Sequence, residues 1–129
     1  MRIATLQHNG QQILGVRRDD NYVDLSKAAP DLPNDMTALL EANALDKAGQ
    51  AAASAHDDAL IPAAGANYLP VVSKPPKILC CGLNYRDHAI ETGADIPDYP
   101  IIFMRTPTTM AAHNTPMILP KAASDYDWE

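Results

Sequence analysis

The stretch Lys77-Ile-Leu-Cys-Cys-Gly-Leu-Asn-Tyr-Arg-Asp-His-Ala-Ile-Glu91 contains the sharpest change of pattern in this chain. Its apolar run predicts a strand over residues 77–81. Asn84 is of a residue type that caps helices, and it predicts a short helix from Tyr85 to Thr92. Gly93 follows as the residue that would end this helix in a left-handed conformation. We therefore predict a strand, a turn and a short helix in direct succession.

His88 and Glu91 lie three residues apart within this predicted helix. Side chains at that spacing lie one turn apart on the same side of a helix, close enough to touch. A carboxylate beside an imidazole fixes its tautomer and prepares it to accept a proton. The alternative is a solvated ion pair on a helix surface, which contributes about 0.5 kcal/mol or less to stability.

The composition is that of a globular protein, with 129 residues, of which 47% are hydrophobic and 20% charged. A net charge of -6 argues against nucleic acids and anionic membranes as partners. The chain has no apolar run near the ~20 residues that cross a bilayer, and its N-terminus has no apolar signal core. Cys80 and Cys81 are adjacent, and neighbours in a strand rarely form a disulfide. We predict a cytoplasmic protein in a reducing compartment.

The N-terminal part of the chain has the pattern of a small antiparallel sheet. Strand-like runs at residues 2–8 and 11–17 flank Asn9-Gly10, a dipeptide that is the strongest short signal for a hairpin. Residues 21–25 are a third strand candidate.

Two helices are predicted after these strands, over residues 35–42 and 46–55. The first has apolar residues at helical spacing and either Asn34 or Asp35 as its cap. The second has only alanines on its apolar face, so we expect it to pack close to a neighbour or at the edge of the core.

Residues 56–75 are interpreted mostly as a connector. A boundary near residue 70 would divide the chain into a small N-terminal α+β domain, 1–70, and the start of a second domain, 71–129. Prolines cluster in the second half and favour short strands and turns there.

Two further strands are predicted in the second half, over residues 101–104 and 117–119. The final residues, 125–129, are acidic and aromatic and stop without a turn or cap. We therefore expect that the chain is cut at this point.

Four ordered segments carry a resemblance to a known family. They are Pro76-Lys-Ile-Leu-Cys-Cys-Gly-Leu-Asn-Tyr-Arg-Asp-His-Ala-Ile-Glu91, Pro100-Ile-Ile-Phe-Met-Arg-Thr-Pro-Thr-Thr109, Pro116-Met-Ile-Leu-Pro120 and Asp127-Trp-Glu129. With these segments the chain resembles the N-terminal half of a fumarylacetoacetate hydrolase family protein. The resemblance covers the whole chain and is specific over residues 76–129.

The resemblance implies an α+β fold: a small N-terminal β-sheet with helices, followed by the first, incomplete part of a mixed, β-rich catalytic domain. Family members use Mg²⁺ or Mn²⁺ to cleave carbon–carbon bonds in acylpyruvates and related diketo acids, or to decarboxylate or isomerise such compounds. The implied partners are therefore a small diketo or oxo acid and, as in the family, a second copy in a homodimer.

The resemblance also assigns roles to residues. It implies that His88 is the general base that activates a water and that Glu91 orients it. Arg105 stands where the family usually has a lysine that meets the anionic oxygen of the substrate, and arginine offers a fork in place of a point charge. Thr109 stands where a serine is common. Tyr85 is a candidate for the substrate pocket, with simple packing as the alternative.

Glu129 would be the first metal ligand under this resemblance. The second glutamate would lie two positions further on, and a third acidic ligand further downstream. A register in which Asp127 and Glu129 form the pair fits the flanking residues less well. Since one carboxylate is a poor site for Mg²⁺, we expect residues 1–129 alone to be inactive.

Three functions stay open at this point. The first is the N-terminal part of a metal-dependent hydrolase of acylpyruvate-like acids. The second is an inactive truncated or split-gene fragment that only folds and assembles. The third is a family isomerase or decarboxylase of 2-hydroxy-dienoates. The DNA after codon 129 separates the first two, and a substrate panel with product identification separates hydrolysis from the third.

Overall fold

The computed structural model describes residues 1–122 and 124, and it has an α+β fold. The chain forms two compact units. One is Met1–Ser73 together with the segment that begins at Ala111, and the other is Lys74–Met110. The domains 1–70 and 71–129 stay a prediction, because compactness does not establish that either part folds alone.

The first unit is built on a five-stranded sheet in which each pair of neighbours is antiparallel. The order across the sheet is β4-β3-β2-β1-β5, so both edges are formed by strands that come late in the unit. The strands are β1 (Ile3–His8), β2 (Gln11–Arg18), β3 (Asn21–Asp24), β4 (Leu60–Pro62) and β5 (Tyr68–Leu69).

The hairpin between β1 and β2 turns at Asn9-Gly10, as the sequence predicts. His8 pairs with Gln11 across the turn. Asn9 and Gly10 have φ angles of 49° and 79°, which is the left-handed geometry that a two-residue hairpin turn requires. The third predicted strand is also confirmed, since β3 pairs with β2.

Three helices pack on one face of this sheet: α1 (Leu25–Ala28), α2 (Met36–Glu41) and α3 (Leu45–Ser54). Their buried residues form a core with side chains of β2 and β3, including Leu14, Val16 and Val23. The predicted helices 35–42 and 46–55 are thus confirmed to within one residue at each end. Between the two candidate caps, Asp35 is the one used, and its carboxylate accepts a hydrogen bond from the Ala38 amide at 3.1 Å.

Asn34 replaces a missing strand beside β2. Pairing of β3 with β2 begins only at Gly15, so the earlier part of β2 lacks a neighbour on that side. The Asn34 side chain accepts from the Leu14 amide at 2.9 Å and donates to the Gln12 carbonyl at 3.0 Å. One side-chain amide therefore satisfies two backbone groups that a strand would otherwise pair.

The interpretation of residues 56–75 as a connector is wrong in part, because β4 and β5 lie within it and complete the sheet. Both strands are very short, and neither has the alternating pattern by which strands are recognised. The Val71 carbonyl accepts a hydrogen bond from the buried Thr5 hydroxyl at 2.7 Å, which holds the chain after β5 against the sheet.

The second unit contains two antiparallel strands, β6 (Ile78–Gly82) and β7 (Ile101–Arg105), with helix α4 (Arg86–Thr92) between them. All three elements were predicted. The two strands expose apolar side chains, with Leu79 61% and Met104 73% exposed.

The strand predicted at residues 117–119 is not formed. Its three apolar side chains are exposed, and these residues pair with no strand of the described chain. A strand needs a neighbour to bond its backbone, and apolar character alone does not supply one. In the part of the chain that the structure describes, none of the helices has the length and apolar character to span a bilayer.

Replacement of Asn34 by alanine should lower the free energy of unfolding by about 1 kcal/mol, because two backbone groups of β2 lose their partner. Urea unfolding followed by circular dichroism measures this. Asn67→Ala is the matched control: Asn67 is exposed and its side chain makes none of the described hydrogen bonds, so its change should stay within about 0.5 kcal/mol. Equal stabilities of the two variants would contradict the role given to Asn34.

Candidate functional site

Helix α4 carries the predicted histidine–glutamate pair, and its two ends are held differently. At the C-terminal end Gly93 adopts a φ of 67°, as predicted, and its amide donates to the carbonyls of Ala89 and Ile90. The N-terminal cap position is Tyr85, which makes no side-chain capping bond. The expectation that Asn84 caps the helix is therefore wrong, because the helix begins one residue too late for its side chain to do so.

His88 and Glu91 both lie on the solvent-exposed side of α4. The helix packs instead through Ala89, which is 1% exposed. The spacing of three residues places the two side chains side by side along the helix, as predicted. In this conformation their side chains make no hydrogen bond or ion pair with each other or with any other described residue. The pair is accessible to a ligand or to water from the solvent side.

The other predicted substrate contacts lie at and after the end of β7. Arg105 is half-buried and stands opposite Ile78 in the strand pair. Thr109 ends a single 3-10 turn, Pro107–Thr109, and its hydroxyl donates to the Thr106 carbonyl at 2.8 Å. That hydrogen bond uses the hydroxyl proton, but the oxygen can still accept a hydrogen bond from a ligand.

Tyr85 is 72% exposed and lines an open cleft of about 300 Å³ in the second unit. The cleft lies between the start of α4 and the loop Ile96–Pro100, and Arg86 and Asp98 are its charged residues. His88 and Glu91 do not line it, because the cleft lies on the Ala89 side of α4. The structure thus separates Tyr85 from the pair. The loop was not predicted as part of a site, although its closely spaced prolines and Tyr99 were a signal for it.

The described residues do not form a site for a divalent cation. Residues 1–122 and 124 contain no group of three or more histidine, cysteine, aspartate or glutamate side chains that could hold a metal ion. The predicted ligand Glu129, with Asp127 beside it, lies outside the described residues.

His113 contacts Tyr68 of the first unit, with ring centroids 5.2 Å apart in an edge-to-face arrangement. The Tyr68 hydroxyl lies 3.3 Å from that of Tyr22, and the Arg17 guanidinium lies over the Tyr22 ring. The hydrogen bond with Tyr22 and, after it, burial raise the pKa of Tyr68, while the charge of Arg17 opposes this. His113 is thus part of an aromatic cluster with Tyr68 and Tyr22.

Comparison with known proteins identifies relatives of this chain. Residues 77–129 match the family model described as fumarylacetoacetate (FAA) hydrolase C-terminal. "Oxaloacetate tautomerase Fahd2a, mitochondrial" of Rattus norvegicus is 35% identical over 107 residues, which cover 83% of this chain and 34% of that protein. A Burkholderia lata protein named as a hydrolase is 31% identical over 140 residues, covering 100% of this chain and 44% of its own length.

A solved structure shows the same fold. The crystal structure of a protein assigned as HpcE from Mycobacterium smegmatis superimposes with a TM-score of 0.70 at 26% identity. The match covers 94% of this chain and 41% of that chain. The chain therefore spans less than half the length of the relatives that it matches here.

The raised pKa of Tyr68 predicts how stability changes at alkaline pH. The folded state holds the phenol proton more tightly than the unfolded chain, so this contribution is complete below about pH 10 and is lost as the pH rises through the folded pKa. The free energy of unfolding should fall above about pH 10, and less so in Tyr68→Phe. Urea unfolding at pH values on both sides of 10 measures this, with the exposed Tyr99→Phe as control. An unchanged pH dependence in Tyr68→Phe would be evidence against this contribution of Tyr68 to stability.

Proposed function

Because this chain belongs to the fumarylacetoacetate hydrolase family, we propose that it forms the N-terminal part of a divalent-metal-dependent enzyme acting on small diketo or oxo acids. The observation that carries the proposal is the exposed pair His88 and Glu91 on α4, within the residues that match the family. Family enzymes generally use a divalent metal. The ligands of that ion, with Glu129 as the first, are part of the proposal.

The first candidate reaction is cleavage of a carbon–carbon bond in an acylpyruvate-like acid. His88 takes a proton from water, and Glu91 holds the imidazole in the tautomer that can accept it. The hydroxide adds to the distal carbonyl, the adjacent carbon–carbon bond breaks, and its electron pair forms an enolate. The proton held on His88 then returns to the enolate carbon. Arg105 is the proposed cation beside the developing oxyanion.

The second candidate reaction is keto–enol tautomerisation of an oxo acid, and the name of the rat relative favours it. Here His88 takes a proton from the carbon next to the ketone in place of one from water. The enolate then receives a proton on oxygen, and no carbon–carbon bond breaks. Both reactions need a base and a cation near an enolate oxygen. They differ in whether a water is the group that loses the proton.

A substrate panel with product identification decides between the two. Hydrolysis of an acylpyruvate releases pyruvate and a carboxylic acid, which chromatography separates. Tautomerisation leaves the mass unchanged and alters only the ultraviolet absorbance of the enol. The assay uses a polypeptide that contains this chain and the rest of the family fold, with Mg²⁺ or Mn²⁺ present. If neither reaction occurs, the alternative of an inactive fragment with a folding or assembly role is favoured.

Assembly and compartment are also part of the proposal. Leu79 and Met104 on the strand pair of the second unit are exposed, which suits association, and a homodimer is the form that we propose. We keep the cytoplasm as the proposed compartment, although the name of the rat relative places that protein in mitochondria.

Substitution of the pair should abolish most of the activity without unfolding the protein. In a polypeptide that carries this chain with the rest of the family fold, His88→Gln should lower kcat by roughly 10²–10⁴-fold, because the base is lost. Glu91→Gln should lower kcat by about tenfold or more, because the imidazole is no longer oriented. Steady-state kinetics on the preferred substrate measures both.

Asp87→Asn is the matched control for this prediction. Asp87 is an exposed carboxylate on the same helix, next to His88, and no catalytic role is proposed for it. Its kcat should stay within about twofold of the starting protein, as for most surface substitutions. Full turnover after Glu91→Ala, with the same melting temperature, would refute the assignment of the pair.

A further inference from the structure

Leu83 adopts a backbone conformation that leucine rarely adopts. Within the described residues, five residues other than glycine have positive φ angles: Asn9, Asp19, Asn43, Leu83 and Asn114. Four of them are asparagine or aspartate, whose short polar side chains tolerate this region. Leu83, at a φ of 48°, has no such compensation. For leucine the population of the left-handed conformation is roughly 5- to 30-fold lower than that of the right-handed one.

The strained residue lies where α4 is held least. It follows directly after β6, which ends at Gly82, and precedes the cap position Tyr85, which makes no side-chain capping bond. The opposite end is fixed by the left-handed Gly93 and by a 2.9 Å bond from the Ala94 amide to the Ala89 carbonyl. A change of φ at Leu83 would therefore redirect α4 from its weakly held end.

We propose that Leu83 is a strained hinge that positions α4, and with it His88 and Glu91. In the described conformation the packing of Ala89 and the bonds at Gly93 offset the strain. In a second conformation Leu83 would take a negative φ, which removes the strain, moves the helix away from the contact at Ala89 and opens its amide hydrogen bonds. The strain at Leu83 and the contacts of α4 therefore act in opposite directions on the equilibrium between the two arrangements. Leu83 is thus a positioning residue that acts through the helix.

A simple packing role for Leu83 is the alternative, since its half-buried side chain lines the cleft. The two roles predict opposite effects of asparagine. Asparagine tolerates the left-handed region but packs poorly against apolar groups. Valine packs well, but its β-branched side chain is strongly disfavoured at positive φ.

Hydrogen exchange of the α4 amides in the 129-residue chain tests the hinge. With a hinge, protection should rise about three- to tenfold in Leu83→Asn and fall by a similar factor in Leu83→Val, relative to leucine. With a packing role, protection should be lowest in Leu83→Asn, and that order would overturn the proposal. The amides of β1 and β2 are the internal reference, because both strands belong to the first unit.

Leu79→Asn and Leu79→Val are matched controls in β6. Leu79 is an exposed leucine of the same unit in extended backbone, where asparagine gains nothing and valine suits a strand. Asparagine should therefore not increase the protection of α4 here. An increase like that at position 83 would show a general effect of asparagine and would overturn the hinge.

The consequence for turnover rests on the proposed function, and a separate measurement tests it. In a polypeptide with the whole family fold, Leu83→Asn and Leu83→Val should change kcat in opposite directions, with a smaller change in KM. If protection rises in Leu83→Asn and falls in Leu83→Val but kcat is the same in both variants, the hinge is supported. The proposed catalytic role of α4 is then refuted.

Discussion

The pairing of β6 with β7 is the constraint on which the candidate site depends. Gly82 stands opposite Ile101, so the ladder closes at the base of the connection that contains α4 and the cleft. A methyl group added at Gly82 would lie 3.4 Å from the Ile101 side chain, in ordinary van der Waals contact. The same ladder ends at Ile78 and Arg105. Arg105, the cation proposed to contact the substrate, is therefore fixed at the other end of the two strands. The proposed base and the proposed cation thus come from one two-stranded frame.

The local signals of the sequence predicted the elements whose geometry is local. Asn9-Gly10, Asp35 and Gly93 each determine a turn or a helix end through their own backbone or side chain, and the structure has all three as expected. Pairings across long separations left no such signal. β4 and β5 join strands far away in the sequence, and their few residues are too short for an alternating pattern.

The candidate site was predictable to a similar extent. The spacing of His88 and Glu91 gave their common side on a helix, because that follows from helix geometry alone. The direction of the helix did not follow, since it depends on a left-handed leucine that no residue preference suggests. The sequence made Tyr85 a candidate for the substrate pocket but gave no position for it, and the cleft that Tyr85 lines lies on the side of Ala89. The roles of Arg105, Thr109 and Glu129 came only from the family resemblance.

The choice between the two proposed reactions depends on whether water reaches His88, and the position of α4 controls that access. Both reactions pass through an enolate, so the same base and the same cation serve either one. In the described conformation His88 and Glu91 lie in solvent, and water reaches the base freely. Exclusion of water would favour tautomerisation, because hydrolysis consumes a water that attacks the carbonyl. The position of α4 would therefore affect which of the two proposed reactions proceeds, although the pair is the same in both.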